Sequence, residues 1–223
     1  MTPFKSSLIA GLIGVGALGI GAAGVAYLAV LPPPEVRLGA FATRLEGRSG
    51  AQRHNAELAA RSLNGAVIAP GASLSFNSVV RGWSMDRGFV RAPVSFDGEL
   101  VPAFGGGVCQ TSTTLYNAAL LSGLGIAERH HHVFAPHYVA PGRDAAVAYP
   151  SLDLRVVNPY PFPVRLRSGA SGDQLRIEVW GKRSSTARFA LVSRVLSSET
   201  PETRTVRVGY RPGVARFSVS AAR

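Results

Sequence analysis

Cysteine and lysine are nearly missing from this 223-residue chain. The single cysteine, Cys109, excludes a disulfide within the chain, so its thiol is free for packing or for chemistry. Only Lys5 and Lys182 are lysines among the 24 basic residues, and the rest are arginines. Acidic residues number only 13, which leaves a formal net charge of +11. The chain is therefore strongly basic through arginine.

Charge is missing altogether from one long stretch. Ser6 to Pro34 contain no charged residue and consist mostly of Leu, Ile, Val, Ala and Gly. A membrane-spanning helix needs about 20 apolar residues, whereas a cleaved signal peptide has an apolar core of about 7–15 residues and a small-residue cleavage site. An uncleaved anchor with a proline stalk is therefore favoured over a cleaved signal peptide. With Lys5 on the cytoplasmic side, we expect a single-pass protein of the bacterial cytoplasmic membrane whose remaining residues lie outside the cytoplasm.

The basic charge beyond the predicted anchor indicates acidic partners. A membrane-tethered basic domain would meet anionic lipid headgroups and acidic wall polymers. An ordinary solvated basic surface is the alternative. Nucleic acid is not expected as a partner, because the export segment removes the domain from it and no basic helix with interleaved aromatic residues is present.

Helical periodicity is limited to two regions, and strand-like patterns are many. The first helical region runs from Arg37 to about Gly65 and is clearest at 51–64, with Gly65 as a stop signal; the second is Gln110–Ser122. The predicted strands are 66–68, 73–76, 88–94, 99–104, 128–134, 145–149, 152–157, 164–167, 174–180, 188–195, 205–208 and 214–219.

These elements predict an α+β fold: a mostly antiparallel sheet on which the helix bearing the cysteine packs, preceded by one N-terminal transmembrane helix. The predicted domains are residues 1–34 for the anchor and stalk, 35–185 for the main domain, and 186–223 for a strand-rich extension of the same domain.

Cys109 follows three glycines at the start of the second predicted helix, a position that suits a thiolate nucleophile. Lowering a thiol pKa from about 8.5 to about 6.5 takes about 2.7 kcal/mol, and a helix N-terminus supplies only about 0.3–1 kcal/mol. A second cation is needed. His130 and His132 are the candidates, since alternation along a strand places them on one face. Asp144 on the next predicted strand could orient the imidazole, as in other Cys-His centres.

Each of these features also has an ordinary structural interpretation. Cys109 could be a small buried hydrophobic residue, Asp144 could pair with Arg143 or cap a turn, and the glycines could form a plain loop. In the catalytic interpretation, the glycines let backbone approach a substrate, and amides near Cys109 and Gln110 bind a developing oxyanion. Neighbouring histidines on a strand point apart, so no metal site is expected.

Taken together, the residues resemble the VanW family over about Leu38 to Gly181. The matching segments are Asn64-Gly65, Pro70-Gly71, Ser75-Phe76-Asn77, Gly88-Phe89, Ala92-Pro93-Val94, Gly105-Gly106-Gly107-Val108-Cys109-Gln110, Ser112-Thr113-Thr114-Leu115-Tyr116-Asn117-Ala118, Glu128-Arg129-His130, His132 and Gly142-Arg143-Asp144-Ala145. The resemblance implies an activity like that of L,D-transpeptidases, with Cys109 as nucleophile, His130 and His132 as candidate bases and Asp144 as orienter. The candidates for oxyanion or substrate binding are Gly106, Gly107, Gln110, Arg129 and Arg143.

The hypothesis that follows is a membrane-anchored, extracytoplasmic cysteine acyltransferase that forms 3→3 cross-links between peptidoglycan stem peptides, without metal or organic cofactor. One alternative is a cysteine hydrolase of cell-wall peptides, a carboxypeptidase or amidase, in which water resolves the same thioester. The other is a non-catalytic domain for envelope binding or scaffolding, linked to glycopeptide resistance, in which Cys109 only packs.

Overall fold

The computed structural model describes residues 34–96, 99–182, 188–199, 210–211 and 214–222. The predicted anchor lies outside these ranges, and none of the helices within them combines the length and apolar character needed to cross a bilayer. The helices are α1 (Gly50–Leu63), α2 (Phe76–Val80) and α3 (Val108–Leu121), with a 3-10 turn at Met85–Arg87. The strands are β1 (Val36–Arg44), β2 (Val67–Ile68), β3 (Ser73–Ser75), β4 (Arg91–Phe96), β5 (Glu99–Phe104), β6 (Gly125–Glu128), β7 (Ala135–Pro136), β8 (Arg155–Val157), β9 (Val164–Ser171), β10 (Gln174–Gly181), β11 (Ala190–Glu199), β12 (Tyr210–Arg211) and β13 (Val214–Ala222).

Antiparallel pairing joins these strands into several small sheets. The largest has the order β1-β10-β9-β2, and a three-stranded sheet has the order β3-β8-β6. The pairs β4-β5, β7-β12 and β11-β13 are two-stranded. Helices α1 and α3 pack on the largest sheet, where apolar residues of β9 and β10 alternate with exposed ones. The predicted α+β class with mostly antiparallel sheets is confirmed.

Helix α1 has clear start and stop signals. The hydroxyl of Ser49 accepts a hydrogen bond from the Gln52 N–H, and the Gln52 side chain bonds back to the Ser49 N–H, which forms a capping box. Its buried residues are three alanines, Leu63 and the two amides Gln52 and Asn55. Gly65 has φ +84°, the left-handed conformation typical of the residue after a helix, so the predicted stop is confirmed.

The helical pattern predicted from Arg37 onward is wrong over its first part, because Val36–Arg44 forms strand β1. β1 pairs along its length with β10, from Val36 opposite Gly181 to Arg44 opposite Gln174. A Cβ at Gly39 would lie 2.5 Å from the Ser122 hydroxyl at the end of α3, so this strand fits tightly beneath the helix. Tertiary pairing here overrides a weak local pattern.

Helix α3 is almost completely buried. From Gln110 to Leu120 every residue is buried, including polar residues that would be costly to bury without hydrogen bonds. The helix begins at Val108 rather than at the predicted Gln110, so Cys109 is its second residue. Gly107 is the residue before the helix, with φ +107°. The nucleophile candidate is therefore a partly exposed residue in the first turn of a buried helix.

Several other predicted boundaries differ from the structure. The strand predicted at 73–76 ends at Ser75, whose hydroxyl caps the unpredicted helix α2 through the Ser78 N–H. The strand predicted at 128–134 ends at Glu128, and residues 145–149 keep only isolated bridges. The strand predicted at 205–208 lies outside the described residues, and the domain boundaries after 34 and 185 stay predictions.

The glycine before α3 provides a test of this packing. Gly107→Ala combines a positive φ with a Cβ that would lie 2.2 Å from the Gln52 carbonyl oxygen of α1. We expect it to lower the free energy of unfolding by about 2 kcal/mol or more, measured by urea denaturation. Gly169→Ala is the control, because a Cβ there meets nothing within 4 Å. Equal stability of the two variants would contradict this account.

Candidate active site

The candidate site begins with the sulfur of Cys109. In its thiol form, Cys109 donates a hydrogen bond to the Val147 carbonyl oxygen at 3.3 Å. The residue is partly exposed, in contrast to its buried neighbours Val108 and Gln110. The hydrogen bond thus fixes the position of the sulfur in a residue that is only partly buried.

His132 and Asp144 complete a hydrogen-bonded chain with this cysteine. The His132 imidazole is hydrogen-bonded to the Cys109 sulfur. Its Nδ1 lies 2.7 Å from Oδ2 of Asp144, which leaves Nε2 for the sulfur. The Asp144 carboxylate is buried, at 4% exposure, while the His132 side chain keeps 16%. The order cysteine, histidine, carboxylate is the arrangement that the sequence predicted with Cys109, His132 and Asp144.

The electrostatics of these three groups favour an ion pair at neutral pH. Burial alone would raise the pKa of the Cys109 thiol, but the hydrogen bond and positive charge of His132 outweigh burial and lower that pKa. Burial alone would lower the pKa of His132, but the hydrogen bond to Asp144 and the interaction with Cys109 raise it to about 9. The pKa of Asp144 is lowered, because the hydrogen bonds from His132 and the charge of Arg129 outweigh burial. These shifts favour a Cys109 thiolate paired with a His132 imidazolium.

Arg129 supports the carboxylate instead of facing a substrate. Its Nη2 donates to Oδ1 of Asp144 at 2.9 Å, and its Nε donates to the Asp144 carbonyl oxygen at 2.7 Å. The guanidinium also lies over the Tyr116 ring at 5.5 Å. Oδ2 of Asp144 accepts from the His132 backbone N–H at 2.6 Å as well. Both carboxylate oxygens are thus satisfied, as a buried charge requires.

Buried polar residues of α3 hold the segment that carries Asp144. The Ser112 hydroxyl donates to the Ala145 carbonyl oxygen at 2.7 Å, and the Thr113 hydroxyl accepts from the Ala145 N–H at 3.0 Å. Asn117 donates to the Arg143 carbonyl oxygen at 2.7 Å. Sequence reasoning did not assign these positioning residues a role. The available signal was a run of polar residues inside an otherwise apolar helix.

His130, the other candidate base, is directed elsewhere. Its Nε2 lies 2.9 Å from Oε1 of Glu128, and the carboxylate of Glu128 also accepts from the Asp153 N–H. His131 is exposed, and its Nδ1 lies 3.0 Å from the His132 carbonyl oxygen. Of the three neighbouring histidines, the structure brings His132 to the sulfur.

The glycines before α3 are packed against the protein itself. A Cβ at Gly106 would lie 2.6 Å from the Pro93 carbonyl oxygen, and one at Gly107 would collide with Gln52 of α1. The Gly106 carbonyl oxygen also accepts a hydrogen bond from Asn55 at 2.9 Å. These glycines allow close packing around the helix start, which differs from the predicted close approach to a substrate.

Two further predicted substrate contacts have structural partners. The Gln110 side chain is buried and donates to the Thr43 hydroxyl at 3.1 Å and to the Arg44 carbonyl oxygen at 2.8 Å, which joins α3 to β1. Arg143 donates to the Ser193 hydroxyl at 3.2 Å and to the Leu191 carbonyl oxygen at 3.1 Å. Both side chains are thus hydrogen-bonded within the protein.

Backbone amides near the sulfur differ in availability. The Val108 N–H bonds to the Gly105 carbonyl oxygen and the Gln110 N–H to that of Gly107. Within the described part of the chain, the Cys109 N–H has no such acceptor. No three histidine, cysteine or acidic side chains of the described residues converge as metal ligands.

Comparison with known proteins identifies the family. The family described as VanW like protein matches residues 51–180, more than half of the chain and including the whole Cys109, His132 and Asp144 cluster. The chain belongs to the VanW family.

Two curated relatives also match the chain. The uncharacterized protein YoaR of Bacillus subtilis is 33% identical over 161 residues, which cover 72% of this chain and 53% of YoaR. The vancomycin B-type resistance protein VanW of Enterococcus faecalis is 34% identical over 110 residues, 47% of this chain and 40% of that protein. The chain thus spans about half the length of these relatives or less. No solved structure matches it significantly.

The ion pair predicts how the reactivity of the thiol depends on pH. In the unchanged protein, alkylation of the single cysteine by iodoacetamide should follow an apparent pKa below about 8.5. His132→Ala should move that pKa to about 8.5 or higher, because burial then acts without the imidazolium. His130→Ala is the matched control and should keep the original profile, since His130 pairs with Glu128. An unchanged profile in His132→Ala would contradict the pairing.

The same pair predicts how stability depends on pH. The raised pKa of His132 contributes stability that is complete below about pH 6.5 and is lost as pH rises through about 9. The lowered pKa of Cys109 contributes stability that is complete above about pH 8.5 and is lost as pH falls through the folded-state pKa. The two effects cancel over the part of the range from about pH 6.5 to 8.5 that lies above the folded-state pKa of Cys109.

We therefore expect this pair to leave the free energy of unfolding flat across that window. In Cys109→Ala only the histidine effect remains, so stability should fall above about pH 6.5. Urea denaturation of both proteins at a series of pH values measures the difference. Parallel curves for the two proteins would show that no ion pair forms.

Proposed function

We propose that the VanW domain of this chain is a cysteine-dependent acyltransferase acting on peptidoglycan stem peptides, similar to L,D-transpeptidases. The observation that supports it is the hydrogen-bonded chain of Cys109, His132 and Asp144, in which the thiol pKa is lowered and the Cys109 residue is partly exposed. Perturbed ionisable groups in such an arrangement are typical of catalytic sites.

In the proposed reaction, the Cys109 thiolate attacks a peptide carbonyl carbon and forms a tetrahedral intermediate. The C–N bond breaks, the His132 imidazolium gives its proton to the departing amine, and a thioester remains on the sulfur. An acceptor amine then attacks the thioester and loses its proton to His132, which restores the thiolate–imidazolium pair. Asp144 keeps the imidazole oriented through Nδ1 in both steps.

A backbone donor for the oxyanion is available at the same position. The Cys109 N–H lies at the start of α3 without a backbone acceptor among the described residues, whereas the flanking amides of Val108 and Gln110 are engaged. Fixed N–H donors aimed at a developing oxyanion stabilise the transition state strongly. The proposal therefore assigns this role to Cys109 and not to Gln110.

The proposed substrate and location are supported by independent features. A relative of this chain is named as a vancomycin B-type resistance protein, which favours a cell-wall substrate. The uncharged stretch from Ser6 to Pro34 favours a membrane anchor and an extracytoplasmic domain. The net charge of +11 favours anionic lipids and wall polymers as partners.

Hydrolysis is the second candidate. Because the His132 side chain keeps 16% exposure beside the sulfur, water can reach a thioester there. The domain would then act as a carboxypeptidase or amidase on the same peptides. Amine transfer and hydrolysis share every step up to the thioester.

Incubation of the purified full-length chain with disaccharide-tetrapeptide tests the proposal. Mass spectrometry should show a cross-linked dimer with release of the terminal D-amino acid; a monomer shortened by one residue would indicate hydrolysis instead. Cys109→Ala should abolish either product because the nucleophile is missing, and His132→Ala should reduce the rate by about a hundredfold or more.

His130→Ala is the matched control for that experiment and should retain most of the activity. Absence of any product from the unchanged protein would leave the envelope-binding interpretation, in which the cysteine has no chemical role.

A further inference from the structure

Every arginine of β1, β9 and β10 lies on one face of the largest sheet. Along β9 and β10, buried apolar residues alternate with exposed ones, and the buried ones join the core on which α1 and α3 pack. Side chains on the other face point away from these helices. The pairing register places five arginines there: Arg37, Arg44, Arg165, Arg167 and Arg176. This face is therefore basic, and the sheet separates it from the helix that carries Cys109.

Two of these arginines are close neighbours across the strands. Arg167 of β9 stands opposite Glu178 of β10, and Arg176 of β10 stands opposite Gly169 of β9. The two arginines are thus diagonal neighbours on one face, a relation that places such residues about 7–8 Å apart. Side chains as long as arginine can reach a single ligand from these positions.

Carboxylates on this face are fewer than the arginines. Two carboxylates are shared among four arginines: Glu178 lies 3.2 Å from Arg37 and 2.9 Å from Arg176, and Glu35 lies 3.4 Å from Arg165 and 3.9 Å from Arg167. The four arginine side chains keep between 45% and 51% exposure. Ion pairs this exposed contribute little to stability. An external anion can therefore compete for the guanidinium groups.

A cavity of about 480 Å³ opens beside the two neighbouring arginines. Its lining includes Arg167, Arg176 and Gly169. A Cβ at Gly169 would meet nothing within 4 Å, so the space opposite Arg176 is open. The volume is within the usual range for sites that bind small ligands or segments of larger ones.

Both arginines of this cavity are held by contacts that leave donors free. The Arg167 guanidinium lies over the Trp180 ring, 3.9 Å from the centroid. Nε of Arg176 donates to Glu178 at 2.9 Å, and no acceptor among the described residues engages its two Nη groups. A guanidinium held in this way loses little further freedom when its planar fork of N–H groups binds a phosphate.

The remaining contacts favour a polar chain over a membrane surface. Faces that bind membranes present exposed aromatic and aliphatic side chains to the lipid. Trp180, the aromatic residue of this face, is covered on one side by Arg167, and its Nε1 donates to Glu178 at 2.9 Å. The cavity is also lined by polar side chains that can hydrogen-bond hydroxyl groups, namely Asn64, Ser171 and Gln174.

We propose that this cavity binds a linear polymer of polyol units joined by phosphodiesters. Arg167 and Arg176 bind its phosphates, and the polar lining binds its hydroxyl groups. Arg37 and Arg165 extend the basic face along the strands for further phosphates. The acidic wall polymers expected from the net charge thus have a defined site on the fold, and that site does not depend on chemistry at Cys109.

Calorimetric titration of the full-length chain in a neutral detergent tests this assignment. The probes are poly(glycerol phosphate) and, as a polymer with carboxylates and no hydroxyl groups, polyglutamate of equal charge. We expect poly(glycerol phosphate) to bind more tightly. Arg167→Gln combined with Arg176→Gln should weaken its binding at least about tenfold, the usual effect of losing charge-assisted hydrogen bonds. Lysine at both positions should retain part of the affinity, and Cys109→Ala should bind like the unchanged protein.

Arg91→Gln combined with Arg155→Gln is the charge-matched control, because both arginines are exposed and lie on strands of other sheets. It should keep the affinity, and circular dichroism should show that every variant is folded. No binding of poly(glycerol phosphate), equal affinity for polyglutamate, or equal weakening in the control would overturn the inference. Binding to phosphatidylglycerol vesicles that needs Arg167 and Arg176, without binding of the soluble polymer, would indicate a membrane partner and overturn it as well.

Discussion

The site depends on one constraint, the attachment of an irregular backbone segment to the buried polar face of α3. Ser112, Thr113 and Asn117 bond to backbone groups of Arg143 and Ala145, so the helix that carries Cys109 also fixes the segment that carries the Asp144 carboxylate. These side chains are fully buried, where an unpaired polar group would cost about 1–3 kcal/mol each. Folding and site assembly are therefore one event, since the helix cannot pack without closing the site.

The charges of four side chains in the site compensate one another in series. Arg129 neutralises Asp144, Asp144 raises the proton affinity of His132, and His132 stabilises the thiolate of Cys109. Asp144 and His132 each interact with a group on either side in this series. Cys109 stands at its end, in a residue that is partly exposed.

The sequence alone predicted features that depend on neighbouring residues. It did not predict features that depend on packing between residues distant in the chain. The stop at Gly65 and the nucleophile near the start of a helix follow from glycine conformations and helix ends. The direction of Gln110 depends on β1, whose own pairing is distant in the chain, so a buried residue was predicted to face substrate. Which histidine, His130 or His132, reaches Cys109 depends on the backbone, because strand β6 ends at Glu128. Beyond it, the His132 N–H donates to the Asp144 carboxylate and not to a neighbouring strand.

The edge position of β1 has a consequence for how the protein forms. Val36 pairs with Gly181, so β1 can complete its pairing only after β10 has been synthesised. Until β10 has been synthesised, the apolar faces of α1 and α3 lack part of the sheet on which they pack. Contacts between residues so far apart in the sequence also form slowly. A chain of this kind completes its fold only after nearly the whole domain has been synthesised.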